Sequence, residues 1–149
     1  MKPKRKSSAS IEEIKRLYMR ADLHYRYKRK EKYINRIEAF LLQTTILEGV
    51  LVNFGLKLLE KRADLTALMG KRKDRYGYDN AINDLYLLGA ITTEEFKDLE
   101  RYKNKRNKYL HGLLLKNIGT TAKEVNNIYK DYRMLTWNMV KKLENKLIN

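Results

Sequence analysis

Apolar side chains recur along most of this chain every three or four residues, the period that places them on one face of an α-helix. The pattern is clearest between residues 34 and 59, where it predicts a long helix that faces the core. The apolar positions there are Ile34, Ile37, Phe40 to Leu42, Ile46, Val50, Leu51, Phe54, Leu58 and Leu59. No alternating, strand-like pattern of useful length occurs in the sequence. The chain is therefore predicted to be all-α.

Capping residues and breakers predict where the helices begin and end. A Ser or Thr followed three positions later by Glu matches the capping box at Ser10, Thr92 and Thr121, which predicts three helix starts. Gly89 is a typical residue for ending a helix. The predicted helical segments are 10–62 with a break near 28–33, then 79–88, 93–116 and 121–147, and the basic segment 63–78 is predicted to be an irregular loop.

These segments predict one domain, a bundle of four or five helices over residues 33–149 preceded by a basic N-terminal helical extension over residues 1–32. The longest uninterrupted apolar run, residues 39–42, is far shorter than the roughly 20 residues that cross a bilayer. No apolar stretch follows the basic residues 1–6, as it would in a secretory signal. With no Cys in the chain, we expect a cytoplasmic protein without a membrane partner.

The net charge of +15 is large for 149 residues and is unevenly distributed. Residues 1–36 hold 13 Lys and Arg against 4 acidic residues, and residues 71–75 add a further excess of three. Neutralised phosphates release counterions, and tyrosines between basic residues can stack on unpaired bases, so RNA is the predicted partner. The predicted RNA contacts are Arg26, Lys28, Arg29, Lys30, Lys71, Arg72, Lys73 and Arg75. The alternative is a solvated basic surface with its tyrosines packed on the bundle.

The segment 105–112 joins an arginine to one of the chain's two histidines within one basic helix. RNA cleavage by attack of its own 2′-hydroxyl needs a group that moves protons near neutral pH, and imidazole titrates there, which makes His111 a candidate. Arg106 is a candidate for stabilising the phosphorane, since a guanidinium is always charged and offers paired donors. Asn107, one turn before His111, can hold the imidazole or a phosphate oxygen.

The spacing of Arg106 and His111 leaves open how they would act together. Five residues at about 100° each place the two side chains about 140° apart around one ideal helix. Either the long arginine side chain curls back along the surface, or two copies of the helix face each other and share one site. The second arrangement supplies two histidines, one as base and one as acid. The alternative is that both are ordinary residues of a basic helix, or that His111 lies in an interface.

The order Arg106, a polar residue, three more residues, His111 and then Gly112 resembles the motif of HEPN-domain proteins. These are α-helical domains, many of them metal-independent endoribonucleases. The resemblance spans residues 33–147, including the long amphipathic helix and the segment 85–92 that leads into the motif helix. It implies a bundle that dimerises through the motif helices, so that Arg106 and His111 of both copies line one RNA cleft and Asn107 orients them.

The resemblance also implies a setting and a product. The protein would be a toxin or antiviral-defence effector that leaves a 2′,3′-cyclic phosphate or its hydrolysis product, restrained by an antitoxin or another regulatory protein. Toxins of this family that pair with a nucleotidyltransferase antitoxin often carry Tyr two residues after the His, where this chain has Leu113. A non-catalytic or antitoxin-like module that only binds RNA is the alternative, because the family includes inactive members. A DNA-binding regulator is a third reading, although no helix-turn-helix spacing is found.

Three further residues are predicted to support the site. Lys103 lies on the same helical line as His111, and Tyr109 lies within the motif segment. Glu48 is the one acid in the apolar centre of the long helix. Because burial of an unpaired carboxylate is costly, Glu48 is expected either to pair with a cation such as Arg106 or to face water at the rim.

The second histidine, His24, has no acid–base partner that the sequence identifies, and it is expected to be a surface or RNA-contacting residue. Two histidines 87 positions apart, with no Cys, form no recognisable metal site. Glycine-rich phosphate loops are also missing from the sequence. The sequence therefore predicts neither a metal nor a cofactor.

Overall fold

The computed structural model describes residues 9–26, 32–65, 67, 75–112 and 115–148. Within these ranges the chain forms α1 (Ile11–Arg26), α2 (Lys32–Glu60), α3 (Tyr78–Leu87), α4 (Thr93–Gly112) and α5 (Ile118–Ile148), with one 3₁₀ turn at Ala63–Leu65. These described residues contain no β-strand. The prediction of an all-helical bundle is confirmed.

Two of the three predicted capping boxes are formed. At the start of α1, Ser10 N–H donates to the Glu13 carboxylate at 2.8 Å and Glu13 N–H donates to the Ser10 hydroxyl at 3.2 Å. At the start of α4, Thr92 and Glu95 make the same reciprocal pair at 2.9 and 3.1 Å. Each pair satisfies two backbone donors that a first turn leaves without partners, so it fixes where the helix begins.

The third prediction, a helix start at Thr121, is wrong. The helix α5 begins three residues earlier, at Ile118. The side-chain oxygen of Asn117 accepts a hydrogen bond from Gly119 N–H at 2.8 Å. Asn is at least as good as Thr in this capping position, so the earlier residue starts the helix and Thr121 is buried inside it.

The end of α3 is confirmed at Gly89. This glycine has φ +72°, which is the left-handed conformation. Glycine adopts it with little strain because it has no Cβ. Its N–H donates to Tyr86 O at 3.1 Å, and the next N–H, of Ala90, donates to Leu85 O at 2.8 Å. Together these bonds form a Schellman motif, which satisfies the last carbonyls of α3 and turns the chain towards α4.

Other boundaries agree less closely with prediction. The helix α4, predicted to reach residue 116, ends at Gly112. The predicted break near 28–33 agrees with α1 and α2 being separate helices, but residues 27–31 lie outside the described ranges. Much of the predicted loop 63–78 lies outside them as well.

The helix α1 runs antiparallel to both α2 and α5. The facing pairs are His24–Glu38, Tyr25–Tyr129 and Tyr18–Trp137, and Arg20 and Thr45 line one groove between α1 and α2. In the contacts with α2 and in those with α5, residues late in α1 lie against residues early in the other helix. Ile14 and Ala21 of α1 are buried in the common core. Within the predicted extension (1–32), residues 11–26 therefore pack their apolar face against the predicted bundle (33–149).

The two longest helices, α2 and α5, run parallel at the centre. The Gln43 side-chain amide donates to Tyr129 O at 3.0 Å, and a Cβ added at Gly119 would lie 3.6 Å from the ring of Tyr33. Residue numbers rise together in these two contacts, which shows the parallel direction. The helix α4 runs antiparallel to α5, as the pairs Glu95–Lys142 and Tyr102–Tyr132 show.

The central helix α2 is also apolar and long enough to cross a membrane, with a mean hydropathy of 1.5 over an 18-residue window. The uninterrupted run of four apolar residues considered in the sequence did not reveal this property. Half of the window is buried inside the bundle. The core helix of a soluble bundle needs the same composition, because it packs against neighbours on several sides.

Candidate functional site

The guanidinium of Arg106 lies in a partly enclosed position on α4. The residue is only 9% exposed. Its Nε and Nη2 both donate to Asn107 Oδ1, at 3.2 and 3.1 Å. Its guanidinium carbon lies 5.0 Å from the centre of the Tyr78 ring, which is cation–π distance. Asn107 and Tyr78 therefore fix both the plane and the direction of the guanidinium.

The third nitrogen of this guanidinium, Nη1, faces the carboxylate of Glu48. The Nη1 to Oε2 distance is 3.8 Å, so the expected pairing of Glu48 with Arg106 is present, but it is too long for a hydrogen bond. Glu48 is at the same time half exposed at the rim. Nη1 is buried and donates no hydrogen bond within the described part of the chain. An unused buried donor of this kind needs an explanation, and a site for an anionic oxygen is one.

Two buried tyrosines form the floor beneath Arg106. Tyr78 Oη donates to Leu99 O at 2.6 Å, and Tyr102 Oη is 3.1 Å from Thr44 Oγ1. Burial raises the pKa of Tyr78 far above its ordinary value, and burial likewise raises the pKa of Tyr102. Both phenols are therefore neutral at physiological pH, and they serve as a rigid apolar support rather than as acids or bases.

His111 lies in the last turn of α4 and is exposed. Arg106 points towards Tyr78 and the Glu48 side of α2, whereas His111 faces solvent about 140° further round the helix. The arginine does not curl back to the histidine in this conformation, because Asn107 and Tyr78 hold it. One copy of the chain therefore does not bring the two predicted catalytic groups together.

Two of the predicted supporting residues are engaged elsewhere. Lys103 Nζ binds Asp79 at 2.5 Å, which ties α4 to the start of α3. Tyr109 lines a groove of about 250 Å³ with Ile128 and Asp131 of α5. Neither side chain joins Arg106, and of the predicted supporting residues Glu48 alone contacts it.

The predicted RNA contacts divide into two groups. Arg26 Nε pairs with Asp22 at 2.8 Å, and Arg75 is exposed before α3 with its carbonyl bonded to Asn80. The remaining six, Lys28, Arg29, Lys30, Lys71, Arg72 and Lys73, lie outside the described residues. Within the described ranges, no group of three or more His, Asp or Glu side chains is arranged to hold a metal ion.

The sequence identified no acid–base partner for His24, and the structure places two polar partners beside it. Its Nδ1 lies 2.8 Å from Asn35 Oδ1 and 3.2 Å from Glu38 Oε2. The two partners are 11 and 14 residues away along the chain, on α2. A signal was available, because two successive antiparallel helices bring together positions that are equally far from the midpoint between them, as residues 24 and 38 are from residue 31.

Comparison with known proteins adds no relative. No known family model matches the chain, and neither the curated proteins nor the solved structures contain a match. The resemblance to HEPN domains therefore rests on the motif of residues 106–112 and on its position in a helical bundle.

Proposed function

We propose that this protein is a metal-independent endoribonuclease, with Arg106 and His111 as catalytic residues and Asn107 as a positioning residue. The observation that supports it most is the guanidinium of Arg106, fixed by Asn107 and Tyr78 with one buried donor unused. That donor lies on the helix that also carries an exposed imidazole. The net charge of +15 supports RNA as the substrate.

The proposed reaction is an internal transesterification. The neutral imidazole of one His111 accepts the proton of the 2′-hydroxyl, and the 2′ oxygen attacks phosphorus. As the bond from phosphorus to the 5′ oxygen breaks, the imidazolium of His111 from a second copy gives its proton to that oxygen. Arg106 donates to the non-bridging oxygens while their negative charge increases. The products are a 2′,3′-cyclic phosphate and a 5′-hydroxyl end.

A homodimer is part of this proposal. The two groups point to different sides of α4 within one chain, so a second copy is needed to complete the cleft. By the HEPN resemblance, the two α4 helices would face each other across a two-fold axis. We further propose that the enzyme acts in the cytoplasm as a toxin or antiviral-defence effector that an antitoxin or regulatory protein restrains.

A non-catalytic RNA-binding module is the second candidate, and one observation favours it. Two of the three Arg106 nitrogens donate to Asn107, and the side chain is only 11% exposed. A structural arginine has the same arrangement. In that case the exposed basic residues bind RNA, and His111 takes no part in any reaction.

The test is incubation of total RNA and tRNA with purified variants in EDTA, followed by gel analysis and end-group chemistry. We expect wild type to leave cyclic phosphate ends. His111→Ala, at an exposed position, should lower the rate at least about 100-fold by removing the proton carrier. Arg106→Lys keeps the charge but loses the paired donors, and should lower the rate by about 100-fold.

The matched control is Asn145→Ala, an exposed polar position on α5, which should cleave like wild type. Circular dichroism and the melting temperature of each variant separate loss of fold from loss of chemistry. Cleavage by His111→Ala at the wild-type rate contradicts the assignment. RNA that shifts on a native gel but stays intact favours the binding module.

A further inference from the structure

A groove of about 380 Å³ between α1 and α2 lies apart from Arg106 and His111. Its lining residues are Arg20, His24, Glu38, Leu41, Leu42 and Thr45. Its volume falls at the lower end of the roughly 300–1,000 Å³ of small-ligand sites. It also combines titratable and apolar groups, as such sites usually do.

The imidazole of His24 is oriented by two acceptors. Asn35 Oδ1 and Glu38 Oε2 both approach Nδ1, at 2.8 and 3.2 Å, which assigns the proton to that nitrogen. Within the described residues, Nε2 takes part in neither of these interactions and is left for a ligand. With the proton on Nδ1, Nε2 carries a lone pair that can accept a hydrogen bond from a ligand in the groove.

A free cation lies beside this histidine. Arg20 is exposed and forms no ion pair within the described part of the chain. By contrast, Arg26 and Arg133 both pair with Asp22, at 2.8 and 2.5 Å. Arg20 is therefore available to an anion from outside the protein, and its guanidinium suits a phosphate.

The α2 wall of the groove is mostly apolar. Leu41 is 37% exposed there, beside the half-buried Leu42. Thr45 Oγ1 donates to Leu41 O at 3.0 Å, so its lone pairs are left to accept from a ligand. A cation, an oriented imidazole and an apolar wall together fit a ligand that carries a phosphate next to a flat, weakly polar ring.

We propose that this groove binds one nucleotide of a single-stranded RNA. Arg20 donates to the phosphate, the ribose 2′-hydroxyl donates to His24 Nε2, and the base lies on Leu41 and Leu42. The charge of the chain favours RNA over a neutral occupant. Glu48, beside Arg106, lies on the same face of α2 as Leu41, about 10 Å further along the axis, so one strand can reach both. This site shares its ligand class with the proposed function but does not require cleavage.

The test uses proton NMR of the full chain, because its two histidines give two sets of imidazole signals. The His111→Gln variant leaves only the His24 signals and removes the proposed cleavage. Addition of a single-stranded RNA octamer should shift the His24 signals. Arg20→Gln should weaken octamer binding about tenfold. The matched control Arg16→Gln removes the same charge from an exposed position outside the groove and should change affinity less than about twofold.

Three results would overturn the proposal. His24 signals that stay unchanged at saturating RNA place the strand elsewhere. An equal shift with inorganic phosphate alone indicates an anion site without a base contact. A shift on raising the protein concentration without RNA identifies a second copy as the occupant. This test is separate from the test of the cleavage site. Wild type can cleave RNA even if the His24 signals of His111→Gln do not shift, and those signals can shift even if wild type does not cleave RNA.

Discussion

At the scale of single residues, two glycines of α2 differ in the space around them. A Cβ added at Gly55 would lie 2.1 Å from Tyr76 Oη, far inside contact distance. That hydroxyl donates to Asp84 Oδ2 at 3.1 Å, so the ring cannot move without disturbing a part-buried hydrogen bond. A Cβ at Gly49 would meet nothing within 4 Å. The helix therefore needs a glycine at position 55 but not at position 49.

We expect Gly49→Ala to raise the melting temperature by about 2–4 °C, since alanine is the better residue inside a helix. Gly55→Ala has the same gain in helix propensity but must displace Tyr76, so it should lower the melting temperature by at least about 3 °C. Thermal unfolding followed by circular dichroism measures both. Equal effects of the two substitutions would mean that Tyr76 moves aside at little cost.

The residues of the candidate site show which of its features could be predicted from the sequence. The types and spacing of Arg106 and His111 are visible in the sequence, and so was Glu48 as a partner for a cation. The contact of Arg106 with Tyr78 was not predictable, because these residues are 28 positions apart and meet only once α3 packs on α4. The pairing of His24 with Glu38 depends in the same way on the hairpin of α1 and α2.

At the scale of helices, Glu95 joins a helix start to a neighbouring helix. Its carboxylate accepts from Thr92 N–H in the cap of α4 and from Lys142 Nζ of α5, the latter at 2.8 Å. Burial acts to raise the pKa of Glu95, but the hydrogen bonds from Lys142 and Thr92 outweigh it and hold the pKa below the usual 4.5. Because the folded pKa is lowered, the ionised carboxylate stabilises the fold above that usual value, and this stability disappears as the pH falls through the folded pKa.

Glu95→Gln keeps an acceptor for the cap but removes the charge that binds Lys142. We expect it to lower the melting temperature at pH 7 by about 2–4 °C. The difference from wild type should shrink as the pH falls below 4.5 and vanish once the wild-type carboxyl is protonated in both states. The control is Glu94→Gln, whose carboxylate is 78% exposed and 3.9 Å from Lys97. A pH-independent difference would show that the cap, not the charge, accounts for the loss.

Local signals predicted the helices, and competing local signals account for the errors. The reciprocal bonds of Ser10 with Glu13 and the left-handed Gly89 follow from a few adjacent residues, so the sequence carries them. The start of α5 was placed too late because Asn117 caps as well as Thr121 and comes first. The packing of α1 into the core was missed because charge, rather than its apolar residues, defined the boundary at residue 32.

At the scale of the whole molecule, the charge of +15 bears directly on the proposed dimer. Two such copies repel each other, and the repulsion is strongest at low ionic strength. An RNA strand between them supplies the negative charge that the contact lacks. We therefore expect RNA to promote association of the two α4 helices, which makes the substrate part of the composite cleft.

The composite cleft predicts how inactive chains affect active ones. If cleavage needs His111 from both copies, a mixed dimer of wild type and His111→Ala is inactive. After subunit exchange at equal concentrations, random pairing leaves roughly a quarter of the dimers fully wild type. The total RNA-cleavage rate should therefore be about a quarter of that of the same total amount of wild type. A rate of about one half means that each chain cleaves alone, because His111→Ala then only dilutes the enzyme, and the shared cleft is wrong. Asn145→Ala in place of His111→Ala should leave the rate unchanged, since every pairing then keeps both histidines.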